Sequence, residues 1–124
     1  MDPTKRRRIV NIVATVIPSL IIAGSGVGKL LAAPAMVEGL AKYGVAEHMT
    51  ALGIMEIVFV VLFIIPKTMK LGFILTSCYF AGAMAAELAH GGITINPVVP
   101  LILLWIAAFI RDKSIFLPTA LAAR

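Results

Sequence analysis

The sequence predicts an all-α protein, an integral membrane four-helix bundle with a short amphipathic helix between its first and second spans. Its composition is 60% hydrophobic and only 14% charged, whereas soluble domains are about 25% charged. Its mean hydropathy is +1.03, and the chain contains four apolar stretches near the roughly 20 residues that cross a bilayer. These stretches fill most of the chain, so residues 1–124 are predicted to form a single transmembrane domain.

The first predicted span covers residues 9–31 and directly follows a basic run from Lys5 to Arg8. A basic start before an apolar run is also typical of a signal peptide, whose apolar core has only about 7 to 15 residues. The run in this chain is longer than that. We therefore expect it to be kept as a transmembrane helix.

Residues 34–44 are predicted to form the short amphipathic helix, with Pro34 at its start and Gly44 at its end. Apolar positions at helical spacing oppose the charged positions Glu38 and Lys42. The apolar stripe is predicted either to lie on the membrane surface or to cap the bundle.

The second and third spans are predicted at residues 49–65 and 69–90. Pro66 ends the second span, and Thr68 is a suitable N-cap for the third. Because the connection is so short, the two helices are predicted to be antiparallel neighbours.

The fourth span is predicted at residues 97–113, with Asn96 as N-cap and Pro97 as the first helical residue. Its apolar part is short and reaches only to about Ile110. The long side chain of Arg111 is predicted to extend to the lipid headgroups, so the helix continues past it.

The basic residues are distributed unevenly between the two ends of the predicted bundle. All lysines and arginines except Lys29 and Lys42 lie on the side that holds both termini. By the positive-inside rule, both termini are therefore cytoplasmic. The net charge of +5 is explained by topology and contact with anionic lipids, so we expect no nucleic-acid partner.

Small residues predict how the helices pack, because close backbone approach drives association in lipid. Gly24 and Gly28 of the first span are in GxxxG register, and the third span contains Ala81, Gly82 and Ala85. These two faces are predicted to pack against each other.

Three ionisable residues lie inside the predicted spans: Lys29, Glu56 and Glu87. Such groups cost several kcal/mol in a bilayer unless they are paired or hydrated, so each is a candidate functional residue. Helical side chains lean toward the N-terminus of their own helix. This lean brings the three charged groups toward one layer in the outer half of the membrane.

The residues that share a helix face with the two glutamates complete a predicted ligand pocket, with a small residue for space and an aromatic wall. The predicted ligand-binding residues are Lys29, Gly53, Glu56, Phe80, Ala83, Glu87 and His90. A second interpretation needs no ligand. In it, a Lys29–Glu56 ion pair and a Glu87–His90 hydrogen bond only fix the helix register.

Other polar residues predict less. Cys78 is the only cysteine, which excludes an intrachain disulfide, and it is predicted to be an inert core residue. His48 and His90 lack ligand spacing, so no metal site is expected. Tyr79 and Trp105 are predicted to be packing residues whose polar atoms find partners.

The chain contains a set of short motifs over about residues 20 to 110: Gly28-Lys29-Leu30, Leu40 to Gly44, Leu52-Gly53-Ile54-Met55-Glu56, Ile65-Pro66, Leu71-Gly72 and Gly82-Ala83. Together these motifs resemble the DoxX-like family of small membrane proteins. The most specific element is the combination of Lys29 with Gly53 and Glu56. Relatives often carry a histidine near the end of the third span, where this chain has Glu87, with His90 one turn later.

The resemblance implies a four-helix bundle in the bacterial cytoplasmic (inner) membrane. Some members look like subunits of quinone-linked sulfur oxidation, and others associate with redox or stress-defence systems. The leading hypothesis is an accessory component of such a quinone- or redox-linked system. Its outer-leaflet pocket, lined by Lys29, Glu56 and Glu87, would hold a lipid-like or quinone-like ligand.

Two alternatives stay open, and with them the question of whether the protein is an enzyme. One is an integral-membrane isomerase or cyclase that uses Glu56 and Glu87 as acid and base. The other is a non-catalytic structural or assembly factor. Expected partners are membrane lipids, a redox partner subunit that supplies electrons, and further copies of the chain. Apart from the quinone or lipid ligand, no cofactor is expected.

Overall fold

The computed structural model describes residues 2–92 and 95–118, and within these ranges the chain is helical with no strands. The predicted all-α fold is confirmed. Three 3₁₀ turns, at Ala46–His48, Pro66–Thr68 and Lys113–Ile115, join or follow the α-helices. The basic tail residue Arg124 lies outside the described residues. The helices are α1 (Pro3–Leu30), α2 (Pro34–Lys42), α3 (Met49–Ile64), α4 (Met69–Ala89) and α5 (Ile95–Arg111).

The outer surface of the helix bundle is largely apolar. Large apolar side chains such as Leu20, which is 68% exposed, cover much of the outer surface. A soluble protein rarely exposes so much contiguous apolar area, so the surface matches a lipid environment. By length and composition, the helices at Pro3–Leu30, Ala46–Ile64 and Pro66–Ala89 can cross a membrane, and Ile95–Arg111 is a shorter apolar helix. The chain is a membrane helical bundle.

The four long helices form a ring in which α1 packs against α3 and α5, and α4 packs against the same two helices. Helices α1 and α4 therefore lie diagonally opposite, and the predicted contact between their small-residue faces is wrong. A Cβ added to Gly24 would have no neighbour within 4 Å, whereas a Cβ on Gly26 would lie 3.0 Å from the Gly53 carbonyl oxygen of α3. The glycine between the two of the GxxxG motif makes the close contact.

Helices α3 and α4 are antiparallel neighbours, as the short connection predicted. Gly72 of α4 lies directly against the backbone of Leu62 and Phe63 of α3. Thr68 occupies the predicted N-cap position, but its hydroxyl does not cap α4. It donates instead to the Leu62 carbonyl oxygen at 2.8 Å, which ties the turn to the end of α3.

Arg111 joins the C-terminal end of α5 to that of α3. Its guanidinium donates to the carbonyl oxygens of Phe63 at 2.6 Å and Ile64 at 3.1 Å. It also lies 4.9 Å from the centre of the Phe63 ring. These carbonyls lack partners within their own helix. Helix α5 ends at Arg111, so the prediction that it continues past this residue is wrong.

Helix α5 begins at Ile95, so Asn96 is already inside the helix and is not its N-cap. Boundaries read from sequence commonly differ from the structure by one or two residues. Asn96 and Pro97 lie instead on the wall of a cavity at this end of the bundle.

Helices α1, α2 and α4 all end in the same backbone arrangement, with a residue of positive φ just after the helix. At α2 and α4 this residue is glycine, Gly44 with φ +72° and Gly91 with φ +74°. At α1 it is Ala32, with φ +52°, and the following amide, of Ala33, donates to the Gly28 carbonyl oxygen at 3.0 Å. An L-residue in this conformation costs about 1 kcal/mol relative to glycine.

Ala32→Gly is therefore expected to raise the free energy of unfolding by about 1 kcal/mol. The measurement is denaturant unfolding in mixed micelles. Ala33→Gly is the matched control, because Ala33 has an ordinary φ of −54° and gains nothing from glycine. Equal effects of the two substitutions would contradict the assigned strain at Ala32.

Candidate functional site

Lys29 and Glu56 form an ion pair inside the bundle. The Lys29 Nζ atom lies 2.9 Å from Glu56 Oε1 and donates to Ser25 Oγ at 2.7 Å. The Ser25 hydroxyl donates to the same carboxylate oxygen at 3.3 Å. Lys29 is 7% exposed and Glu56 is 2% exposed. Mutual neutralisation is what allows both charges to be buried.

Two glycines position this ion pair. Lys29 follows Gly26 by three residues on α1, and Glu56 follows Gly53 by three residues on α3, so each charge shares a helix face with a glycine. A Cβ on Gly53 would lie 2.8 Å from the Gly26 carbonyl oxygen and 3.1 Å from Lys29 Cβ. The glycines thus let the two backbones approach until the side chains one turn on can meet.

Glu87 lies in the last turn of α4 and is only 7% exposed. Its Oε2 atom is buried without a hydrogen-bond partner, and so is Oε2 of Glu56. The predicted Glu87–His90 hydrogen bond is not formed. The His90 ring instead donates from Nδ1 to the Ala86 carbonyl oxygen at 2.9 Å, and it packs edge-on to Tyr43 at a centroid distance of 6.4 Å.

Both unpartnered carboxylate oxygens belong to residues that line one cavity of about 570 Å³. Helix α2 closes one side of this cavity, so of the two predicted placements it caps the bundle end. The wall is mostly apolar. Its polar members are Ser25, Lys29, Tyr43, Glu56, Cys78, Tyr79, Glu87 and Asn96, and its larger apolar members are Met36, Leu40, Val45, Leu52, Met55, Phe80 and Pro97.

Five of the predicted ligand-binding residues line this cavity: Lys29, Glu56, Phe80, Ala83 and Glu87. Two do not. Gly53 is covered by α1, because it makes the helix contact described above. His90 lies at the exposed end of α4, with its ring bonded back to its own helix.

Sequence reasoning missed other residues of the cavity wall. Ser25 was detectable, since it lies one turn before Lys29 on the same helix face. Tyr43 gave no such signal, because it follows α2 and only the folding of α2 over the bundle brings it to the cavity. Cys78 was predicted to be a core residue, which is wrong: it is exposed and lies on the cavity wall.

Of the two aromatic residues predicted to find polar partners, Trp105 does so. The Tyr79 side chain lines the cavity and faces the Glu56 carboxyl, but the free Glu56 Oε2 atom has no hydrogen-bond partner. The Trp105 indole N–H donates to Ser77 Oγ at 3.1 Å, which joins α5 to α4.

A family model described as the DoxX-like family matches residues 13–110. The chain belongs to the DoxX-like family. The match begins inside α1 and ends inside α5, so the ion pair and the cavity of this DoxX-like protein lie within the matched region. No curated protein and no solved structure matches the chain. The resemblance seen in the sequence is confirmed, and with it a small membrane protein.

The chemistry available in the DoxX-like cavity follows from these groups. Two carboxylates can accept hydrogen bonds or exchange protons, and the Lys29 ammonium is already bonded to Glu56 and Ser25. Within residues 2–92 and 95–118, no cluster of histidine, cysteine and acidic residues has the geometry to hold a metal ion. This set of side chains supports hydrogen bonding to a ligand and proton transfer to or from it.

Proposed function

We propose that this DoxX-like protein is an accessory component of a quinone- or redox-linked membrane system and holds a lipid-like or quinone-like molecule in its cavity. The observation that carries the proposal is the pair of buried, unpartnered carboxylate oxygens of Glu56 and Glu87 in a mostly apolar cavity of about 570 Å³. Ligand cavities typically have about 300 to 1,000 Å³, apolar walls and a few convergent polar groups.

An amphipathic molecule suits this cavity because its wall combines a few polar side chains with many apolar ones. Its head would contact Glu56, Tyr79 and Glu87, and its apolar part would pack against side chains such as Leu52 and Phe80. The redox chemistry of such a system belongs to a cofactor on a partner subunit, and this protein would present or retain the ligand.

The bound molecule is expected to co-purify with the protein and to be detected by native mass spectrometry and lipid extraction. Glu87→Gln is expected to reduce its amount at least tenfold, because Glu87 contributes a buried carboxylate outside the ion pair and the amide replaces one acceptor oxygen by an NH₂ donor. Glu38→Gln is the matched control, since Glu38 is exposed on α2 and lies off the cavity wall. An empty wild-type protein, or equal loss in both variants, would refute the proposal.

An isomerase or cyclase is the second candidate, favoured by two carboxylates on one cavity wall that can serve as acid and base. This candidate requires turnover of a hydrophobic substrate that is lost in both Glu56→Gln and Glu87→Gln. Retention of an unchanged molecule supports the binding role instead. A loss of folded protein without any bound molecule supports a structural or assembly role.

We also propose that the protein lies in the bacterial cytoplasmic membrane with both termini in the cytoplasm. The support is the concentration of basic residues at one end of the bundle, from Lys5 to Arg8, at Lys67 and at Lys113. A green fluorescent protein fused to the C-terminus is expected to fluoresce, and alkaline phosphatase fused there to be inactive. The opposite pair of results would overturn this orientation.

A further inference from the structure

The charged groups on the cavity wall do not balance. Among the described residues, the wall has one basic side chain, Lys29, and two acidic ones, Glu56 and Glu87. Lys29 Nζ is 2.9 Å from Glu56 Oε1, so its charge is matched by that carboxylate. No cation on the described part of the wall is left for Glu87, whose exposed fraction is only 7%.

Both glutamates on this cavity wall also have incomplete hydrogen bonds. Glu56 Oε2 and Glu87 Oε2 are buried acceptors without donors, although most buried polar atoms in proteins have a partner. A ligand that completes the site must therefore donate hydrogen bonds. A carboxylate or a quinone carbonyl only accepts, and it would add negative potential to a cavity that already has an excess of acidic groups.

A protonated amine meets both requirements. It carries one positive charge and donates up to three hydrogen bonds, and bonds between ionised partners are about twice as strong as neutral ones. The aromatic rings of Tyr43, Tyr79 and Phe80 on the same wall offer further attraction to a cation. Lys29 does not oppose this strongly, because its charge is already matched by Glu56.

We propose that the ligand of this cavity is a cationic amphiphile. Its ammonium head donates to the free carboxylate oxygen of Glu87, and its hydrocarbon chain lies along the apolar wall. This inference rests on the proposed binding function and narrows its ligand class.

The test uses four probes with the same twelve-carbon chain: dodecylamine, dodecyltrimethylammonium, dodecanol and dodecanoate. Their affinities are measured by calorimetric titration of the purified full-length protein in an uncharged maltoside detergent. Dodecylamine is expected to bind at least tenfold more tightly than dodecanol or dodecanoate. Dodecylamine is also expected to bind more tightly than dodecyltrimethylammonium, which has the positive charge but no N–H donors.

Variants locate the effect on the cavity. Glu87→Gln is expected to weaken dodecylamine binding at least tenfold and to change dodecanol binding less than twofold. Glu38→Gln, exposed on α2, is expected to leave all four affinities unchanged. The comparison of probes on the wild-type protein still decides the question if Glu87→Gln does not fold.

Three outcomes of these titrations would contradict different parts of the proposal. Dodecanol or dodecanoate binding as tightly as dodecylamine would overturn the cationic head but keep the binding function. Equal affinity for dodecylamine and dodecyltrimethylammonium would overturn the proposed hydrogen bonds. If none of the four probes binds and no molecule co-purifies, both the inference and the proposed function fail.

Discussion

Glu56→Leu is expected to lower the free energy of unfolding by about 3 to 5 kcal/mol, because it leaves the Lys29 ammonium buried without its counter-ion. Lys29→Met is expected to lower the free energy of unfolding by a similar amount, because it leaves the Glu56 carboxylate buried without its counter-ion. Lys29 is 7% exposed and Glu56 is 2% exposed, so the remaining charge would be poorly hydrated. Each single variant is expected to accumulate less in the membrane.

The double variant Lys29→Met/Glu56→Leu is expected to recover most of that loss, since a buried ion pair is often no more stabilising than apolar residues of similar volume. Unfolding by sodium dodecyl sulfate in mixed micelles measures all four proteins as a double-mutant cycle. Strictly additive losses would show that the two charges do not interact. A stable double variant also tests function, because its loss of bound ligand would mean that the pair contributes more than packing.

Gly72→Ala is expected to be nearly as damaging, with a loss of about 3 kcal/mol or more. The new Cβ would overlap the Phe63 backbone nitrogen and lie 2.6 Å from the Leu62 carbonyl carbon. Backbone atoms cannot rotate away as a side chain can, so α3 and α4 must separate along their contact. The loss should appear in the unfolding midpoint and in the amount of folded protein.

Gly24→Ala is the matched control for this prediction. Gly24 also lies inside a long helix, but nothing is found within 4 Å of its Cβ position. Alanine there is expected to be neutral or to stabilise the helix by up to about 1 kcal/mol. If Gly24→Ala costs as much as Gly72→Ala, the ring arrangement of the helices is wrong, and the predicted contact of the GxxxG face regains support.

Sequence reasoning located the helices and the buried ionisable residues, because both signals are local. An apolar run identifies a membrane helix, and a lysine or glutamate within such a run is conspicuous. The positions of Lys29, Glu56 and Glu87 could therefore be selected before any contact was known.

Helix pairing could not be predicted in the same way. Gly24, Gly26 and Gly28 alternate along α1, and the pattern does not show which of them faces a neighbour. The motif favoured Gly24 and Gly28, whereas the structure uses Gly26 against Gly53. That choice depends on the partner helix, which supplies its own glycine one turn before Glu56.

The cavity wall shows the same limit. The amphipathic pattern of α2 predicted an apolar stripe but not what the stripe covers. The structure lays α2 over the cavity and adds Tyr43 to its wall. A side chain that reaches a site only through folding of its segment leaves no signal in local spacing.

The equal offset from Gly26 to Lys29 and from Gly53 to Glu56 has a mechanical consequence. If α1 slid along α3 by one helical turn, about 5.4 Å, the glycines would lose their facing partners and the ion pair would separate in the same movement. Neither loss could be compensated in an apolar surrounding. We therefore expect α1 and α3 to move together, so that a change of shape in the molecule comes from displacement of the other helices relative to that pair.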